Sequence, residues 1–284
     1  MLREALSQGR RFLEERGISQ AGEEVQLLLL QITGLSRTGL YLEGDRSLSR
    51  EEEGILRRCL ERRACHEPLQ YILQRQFFWE DEFLVAPGVF IPRPETELLM
   101  EEVLKLQKEP ETTVDLCTGS GCLAISLARS FPQTNLYAID LSKTALSVAR
   151  ENARRHRVDD RVIFLEGDLF GPLKGLCLEG RIDLVVANPP YIATKDYWSL
   201  PPTVRDYEPP LALLGGASGV EVIEKVLREA GDFLMSGGVL LMEIGYGQDE
   251  MIREILRQRE VGLLLEGIVR DFAGIERVVR LRRE

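Results

Sequence analysis

Apolar residues recur along this chain with two different periods, and the change of period divides it. Through the first 70 residues the period is helical. Leu2, Leu6, Gly9 and Leu13, with Ala5 and Phe12, fall at helical spacing. The run SQAGEEVQLLLLQITG predicts a second helix closing near Gly34, and SREEEGILRRCLERRA predicts another. Ser49 stands before that last run and Glu52 three residues on, the pattern of a capping box. Residues 1–70 therefore predict a small bundle of amphipathic helices. Nothing in it suggests chemistry, although a face of it can bind a partner. From Tyr71 to Ile91 two aromatic or β-branched runs flank Glu80-Asp81-Glu82 and predict a β-hairpin joining the two parts.

Residues 92–284 alternate between the two periods. A helix opens at Pro94 in IPRPETELLMEEVLKLQ. Strands are expected at TVDLC, NLYAID, RVIFLEGD, IDLVVAN, GGVLLMEIG, LEGIVRD and RVVRLR. Helices are expected at GCLAISLARSF, SKTALSVARENARRH, GVEVIEKVLREAGDFL and QDEMIREILRQRE. Such alternation means an α/β fold with a mostly parallel sheet covered on both faces, and ligands in such sheets bind outside the carboxyl ends of the strands.

Charge changes the picture for partners. The chain carries a net charge of -10, with 11 basic and 12 acidic side chains in residues 1–74 but 25 and 34 in residues 75–284. A part that grips a nucleic-acid backbone is usually basic, so no stable nucleic-acid partner is expected. No apolar run approaches the ~20 residues of a membrane span. The charged, amphipathic start is unlike a signal peptide. A cytoplasmic protein with no membrane partner, acting as a monomer, is the expectation. The five cysteines include no CxxC pair and there are only two histidines, so neither a metal site nor a disulfide framework is expected.

The candidate chemistry lies at strand ends. After the first strand comes DLCTGSGCLA, where Cys117, Thr118, Gly119, Ser120 and Gly121 form a tight turn into a helix. Glycines there let backbone approach a ligand closely. The second strand ends at Asp140, about 20 residues on, where a carboxylate suits a ribose diol. The third runs into Asp168 and Leu169. One reading is a dinucleotide fold, but the GxGxxG fingerprint is absent. Acids at three successive strand ends, Asp115, Asp140 and Asp168, favour a cationic or neutral nucleoside, and S-adenosyl-L-methionine fits. The fourth strand stops on Asn188-Pro189-Pro190-Tyr191. An amide carbonyl and a main-chain carbonyl can accept hydrogen bonds from a substrate NH2, while the prolines offer no competing donor. Tyr191 offers a flat face.

Together DLCTGSG, AID, GDLF and NPPY resemble the successive motifs of class I methyltransferases. PLQYIL, IPRPETE, YEPPLALLGG, EIGYGQ and DFAGIERVV narrow the likeness to the protein-(glutamine) N(5)-methyltransferases that modify peptide chain release factors. The resemblance implies a Rossmann-like, seven-stranded sheet and an N-terminal recognition domain. It implies S-adenosyl-L-methionine as cofactor and the glutamine of a Gly-Gly-Gln tripeptide as substrate. It further implies that Asn188, Pro189, Pro190 and Tyr191 bind and orient that amide, and that Asn188 also borders the cofactor. Arg93 and Glu95 would help close the site or position the substrate backbone. Two positions depart from the family pattern. Cys117 replaces a glycine, which predicts a backbone tolerant of a side chain. Leu169 stands where tryptophan is common and would pack on the adenine with less stacking. An adenine amino-methyltransferase acting on DNA or RNA shares the NPPY corner and is the alternative. A non-catalytic adaptor would be expected to show a degenerate corner.

Overall fold

The computed structural model describes residues 1–258 and 261–284. The chain divides into two compact units, one of residues 1–75 with 201–207, the other of 76–200 with 208–284.

In the first unit α1 (Leu2–Glu14), α2 (Ala21–Thr33), α3 (Arg37–Leu42), α4 (Arg50–Ala64) and α5 (Leu69–Leu73) surround a core built on Leu2, Leu13, Val25, Leu28, Leu29 and Leu56. Local chemistry sets the boundaries. Gly34 closes α2 in the left-handed region (φ 69°), and the Ser49–Glu52 capping box opens α4. Buried Glu24 accepts from both Arg63 Nε (2.6 Å) and Arg63 Nη2 (3.1 Å), tying α2 to α4.

The hairpin is shorter than the periodicity suggested, with β1 at Arg75–Phe78 and β2 at Asp81–Leu84. Tyr71 and its neighbours belong to α5, because Gln74 in the left-handed conformation ends a helical turn there. The second unit continues with α6 (Glu97–Leu104), β3 (Thr112–Leu116), α7 (Cys122–Ser130), β4 (Asn135–Asp140), α8 (Lys143–Arg155), β5 (Val162–Glu166), β6 (Ile182–Ala187) and β7 (Ile192–Ala193). The short α9 (Pro202–Arg205) lies in the segment that belongs to the first unit. Then follow α10 (Pro210–Leu213), β8 (Leu214–Gly216), α11 (Glu221–Phe233), β9 (Leu234–Glu243), α12 (Asp249–Gln258), β10 (Leu263–Arg270) and β11 (Glu276–Arg283).

Seven strands form one sheet in the order β10-β11-β9-β6-β3-β4-β5, parallel except where β11 runs antiparallel to β9 and β10. Along β6, Leu184 and Val186 enter one apolar core, and Val185 and Ala187 enter the other. Burial on both faces explains the unbroken apolar runs of the central strands. Because β3, β4 and β5 step one way and β6 returns to the other side of β3, the strand order reverses beside β3. A crevice opens outside the carboxyl ends at such a point. No helix among the described residues is long and apolar enough to cross a membrane.

Candidate active site

The crevice is real and its walls come from four strand ends. Cys117, Thr118, Gly119 and Ser120 after β3, Asp140 at the end of β4, Asp168 and Leu169 after β5, and the corner from Asn188 to Tyr191 after β6 all line one cleft. Gly121 does not line it. A β-carbon there would stand 2.9 Å from Ala149 Cβ, so this glycine lets α7 pack on α8.

Asp140 organises the turn. Its Oδ2 accepts from Gly119 N and its Oδ1 from Ser142 N, both at 2.8 Å. Burial nevertheless raises its pKa. Each oxygen keeps lone-pair capacity for a further donor, as a ribose diol requires. Asp115 is buried beneath the turn and accepts from Thr118 Oγ1 at 2.6 Å. Burial pushes its carboxyl up to about 7. The buried Ser120 hydroxyl finds no hydrogen-bond partner beyond the Cys122 thiol. Asp168 is largely exposed, 3.6 Å from Lys225 Nζ. Leu169 is buried in the wall, with φ 46°.

These features fit S-adenosyl-L-methionine. The cleft walls present three carboxyl groups and neither lysine nor arginine among the described residues. That is the wrong electrostatics for a pyrophosphate and the right one for a sulfonium and an ammonium. The dinucleotide reading therefore falls. Cys117 corrects a second expectation. Its φ is 60°, so the backbone is not tolerant there, and a β-carbon sits in the left-handed region where glycine is favoured.

The corner is held from behind by residues the sequence did not single out. Asn188 Nδ2 donates to Thr96 Oγ1 (3.0 Å), and Thr96 Oγ1 donates to Glu243 Oε2 (2.7 Å). Tyr191 Oη donates to Glu243 Oε1 (3.4 Å). Gln248 Nε2 donates to the Tyr191 carbonyl (2.8 Å). Burial first, then the Glu243 charge, raises the Tyr191 pKa. Thr96 lies within IPRPETE and Glu243 and Gln248 within EIGYGQ, so the signal was present as motif but not as role. Arg93 points elsewhere. It ion-pairs with buried Glu208, whose other oxygen accepts from Ile91 N at 3.1 Å. Neither Arg93 nor Glu95 lines the cleft.

Asn152 binds the two halves of this frame. Its side chain exchanges hydrogen bonds with Leu84 N (2.7 Å) and Leu84 O (2.9 Å) and donates to Ser120 O (2.9 Å). The hairpin and the glycine turn are thus pinned to α8.

Comparison with known proteins agrees with this geometry. Residues 4–73 match the family described as PrmC N-terminal domain, and residues 81–199 the family described as Methyltransferase small domain. A release factor glutamine methyltransferase of Geobacter sulfurreducens is 39% identical over 278 residues, covering 98% of this chain and 95% of that protein. One of Moorella thermoacetica is 39% identical over 287 residues, covering 100% and 99%. In fold, the chain resembles a methyltransferase from Pyrococcus furiosus (TM-score 0.52, 19% identity, 70% of this chain and 87% of that one). Sheet, turn and corner together define a methyltransferase that uses S-adenosyl-L-methionine. Within that class, the chain belongs to the release factor glutamine methyltransferase family.

Proposed function

We propose that the Asn188–Tyr191 corner receives the side-chain amide of the Gly-Gly-Gln glutamine of a peptide chain release factor, and that methylation of its nitrogen takes place there. The bound S-adenosyl-L-methionine supplies an electrophilic methyl group on a sulfonium. The protein's task is to present a poor nucleophile, since an amide lone pair is delocalised into its carbonyl. Asn188 Oδ1 and the Pro189 carbonyl accept the two N–H bonds of the substrate and turn the nitrogen lone pair toward the methyl. As the N–C bond forms and the S–C bond breaks, positive charge grows on nitrogen. Two fixed acceptors stabilise that charge without reorganising. With the methyl transferred and the cofactor left as its thioether, the nitrogen would lose a proton to solvent. No general base is needed.

One observation carries the reading. Asn188 Nδ2 is already committed to Thr96 Oγ1, so the group Asn188 can offer a substrate NH2 is its carbonyl. Carboxyl groups beneath the glycine turn and at the end of β4 support the assignment of Cys117, Thr118, Gly119, Ser120, Asp140, Asp168 and Leu169 to the cofactor. Selecting one glutamine among many needs contacts remote from the reacting atom, and the N-terminal helices are proposed to supply them. The excess of acid in the catalytic part argues against adenine in DNA or RNA as the substrate.

The test is mass spectrometry of purified release factors incubated with the protein and S-adenosyl-L-methionine. A gain of one methyl on the Gly-Gly-Gln glutamine is expected, with none on adenine-containing oligonucleotides. Asn188→Ala should abolish that gain while S-adenosylhomocysteine still binds. Wild-type turnover in Asn188→Ala would remove the corner from the mechanism. A Gly-Gly-Gln peptide should be a far poorer substrate than the whole factor.

A further inference from the structure

The row Asn188–Thr96–Glu243 has a direction, and the direction matters. Thr96 and Glu243 are both buried, at 4% and 1% exposure, so water does not substitute for either partner. Thr96 ends the single 3-10 turn before α6, and Glu243 is the last residue of β9. Ala187 pairs with Met242, which brings Asn188 and Glu243 to the same end of the sheet. A hydroxyl has one hydrogen. While Glu243 is ionised, both its oxygens only accept, so the Thr96 hydrogen goes to Glu243 and a Thr96 lone pair receives Asn188 Nδ2. The Asn188 carbonyl is then what faces the cleft. We propose that Thr96 and Glu243 are positioning residues that fix which end of the Asn188 amide meets the substrate, and that protonation of Glu243 releases this lock. The proposal rests on the role assigned to Asn188 above.

Protonation reverses the logic. A protonated Glu243 can donate to Thr96 Oγ1, which frees the Thr96 hydrogen. That hydrogen is satisfied at Asn188 only if the amide turns to offer Oδ1, which leaves Nδ2 donors facing the donors of the substrate NH2. Two donors oppose, and the productive pose is lost. The groups facing Glu243 are Thr96 and Glu95 from the turn before α6, Tyr191 after β6, and Arg277 on β11. Arg277 favours the ionised form and Glu95 opposes it, while Arg277 is itself held by Asp271 at 2.9 Å. Burial is the largest influence and brings the carboxyl up to about 7, so the lock is engaged above neutrality and open in acid.

The chain has only three asparagines, Asn135, Asn152 and Asn188. Labelling with ¹⁵N-asparagine therefore gives three side-chain amide signals, and Asn188→Ala identifies the one of interest. In the wild-type protein that signal should move with pH through a single titration, and in Thr96→Val it should be displaced and no longer titrate. Methylation of release factor by Thr96→Val should fall in kcat by on the order of 10²-fold, with KM and the Kd for S-adenosylhomocysteine unchanged. Thr96→Ser should restore both kcat and the acid limb of its pH profile. An Asn188 signal that is the same in wild type and Thr96→Val at every pH would overturn the proposal. So would wild-type kcat in Thr96→Val. A wild-type protein inactive on every release factor would overturn the functional reading instead, and the asparagine signals would still decide this one.

Discussion

Asp140→Asn separates what Asp140 does for the fold from what it does for the cofactor. The aspartate accepts one amide N–H on each oxygen, from Gly119 and Ser142, at 2.8 Å. Asparagine keeps the shape but has one accepting oxygen. It can serve one of the two amides and must aim an N–H at the other. A hydrogen bond to a charged group is worth ~1.5–3 kcal/mol. Burial disfavours this carboxylate and raises its pKa, so removing the charge also relieves a cost. The free protein should therefore lose about 2 kcal/mol, toward the low end of that range. Binding suffers more. The lone pairs left for a ribose diol change from charged to neutral, and half of them are replaced by donors. A loss of about 3 kcal/mol, or ~10²-fold in Kd, is expected. Urea unfolding measures the first effect and calorimetry with S-adenosylhomocysteine the second. Asp168→Asn is the control for stability, because that side chain is exposed and its loss should leave the urea midpoint in place. An Asp140→Asn protein with the wild-type urea midpoint and Kd would show that this carboxylate neither holds the turn nor meets the ribose.

Asp115→Asn should make stability less dependent on pH. The folded pKa of Asp115 lies at about 7, above its ordinary value of 3.8, so its contribution is fully present below the unfolded pKa and is lost as pH rises through the folded one. Asparagine removes that loss, and unfolding at pH 8 should become harder by on the order of 2–4 kcal/mol. Binding of the cationic cofactor by the wild-type protein should release a proton near neutrality and weaken below pH 7, which calorimetry in buffers of different ionisation enthalpy will detect. Arg93→Leu leaves buried Glu208, among the described residues, with the Ile91 amide as its remaining partner; a loss of about 3 kcal/mol is expected, and adding Glu208→Gln should recover part of it in the same urea assay. At Cys117, φ 60° makes a β-branched residue costly. Cys117→Val should destabilise by about 2 kcal/mol, while Cys117→Gly should stay within about 1 kcal/mol because relief of the β-carbon offsets lost burial.

The sheet could be read in advance because its central strands are buried on both faces. Stretches such as DLVVA and VLLME are then continuous apolar runs bounded by turns. The helix ends at Gly34 and Ser49 were legible because their caps are local. What could not be read are relations between distant residues. Thr96 meets Glu243 across 147 positions, and only the packing of α6 on β9 brings them together. The left-handed conformation of Cys117 was hidden because the residue type argues against it. The start of the hairpin was misplaced because Tyr71 and Ile72 suit a strand as well as a helix, and tertiary burial decided for the helix. Of the site, the cleft-lining residues Asp140, Asn188 and Tyr191 carried their chemistry in their side chains. Asn152, Glu208 and Gln248 stand behind the cleft wall, and Thr96 lines it as a residue type common at any helix start, so composition and spacing gave them no mark.

The short stretch Pro201–Tyr207 belongs with the N-terminal helices, and the Tyr207 hydroxyl donates to the Cys65 carbonyl at 2.6 Å. The polypeptide therefore passes from one unit to the other three times. A single protease nick after Arg75 would not free an intact N-terminal unit, because its last strip lies in sequence between two segments of the other unit. During synthesis the helices emerge first but stay incomplete until residue 207 has left the ribosome. Removing residues 1–69 would likewise strand that strip, so a shortened chain loses the helices and also keeps a loose segment between Leu200 and Glu208.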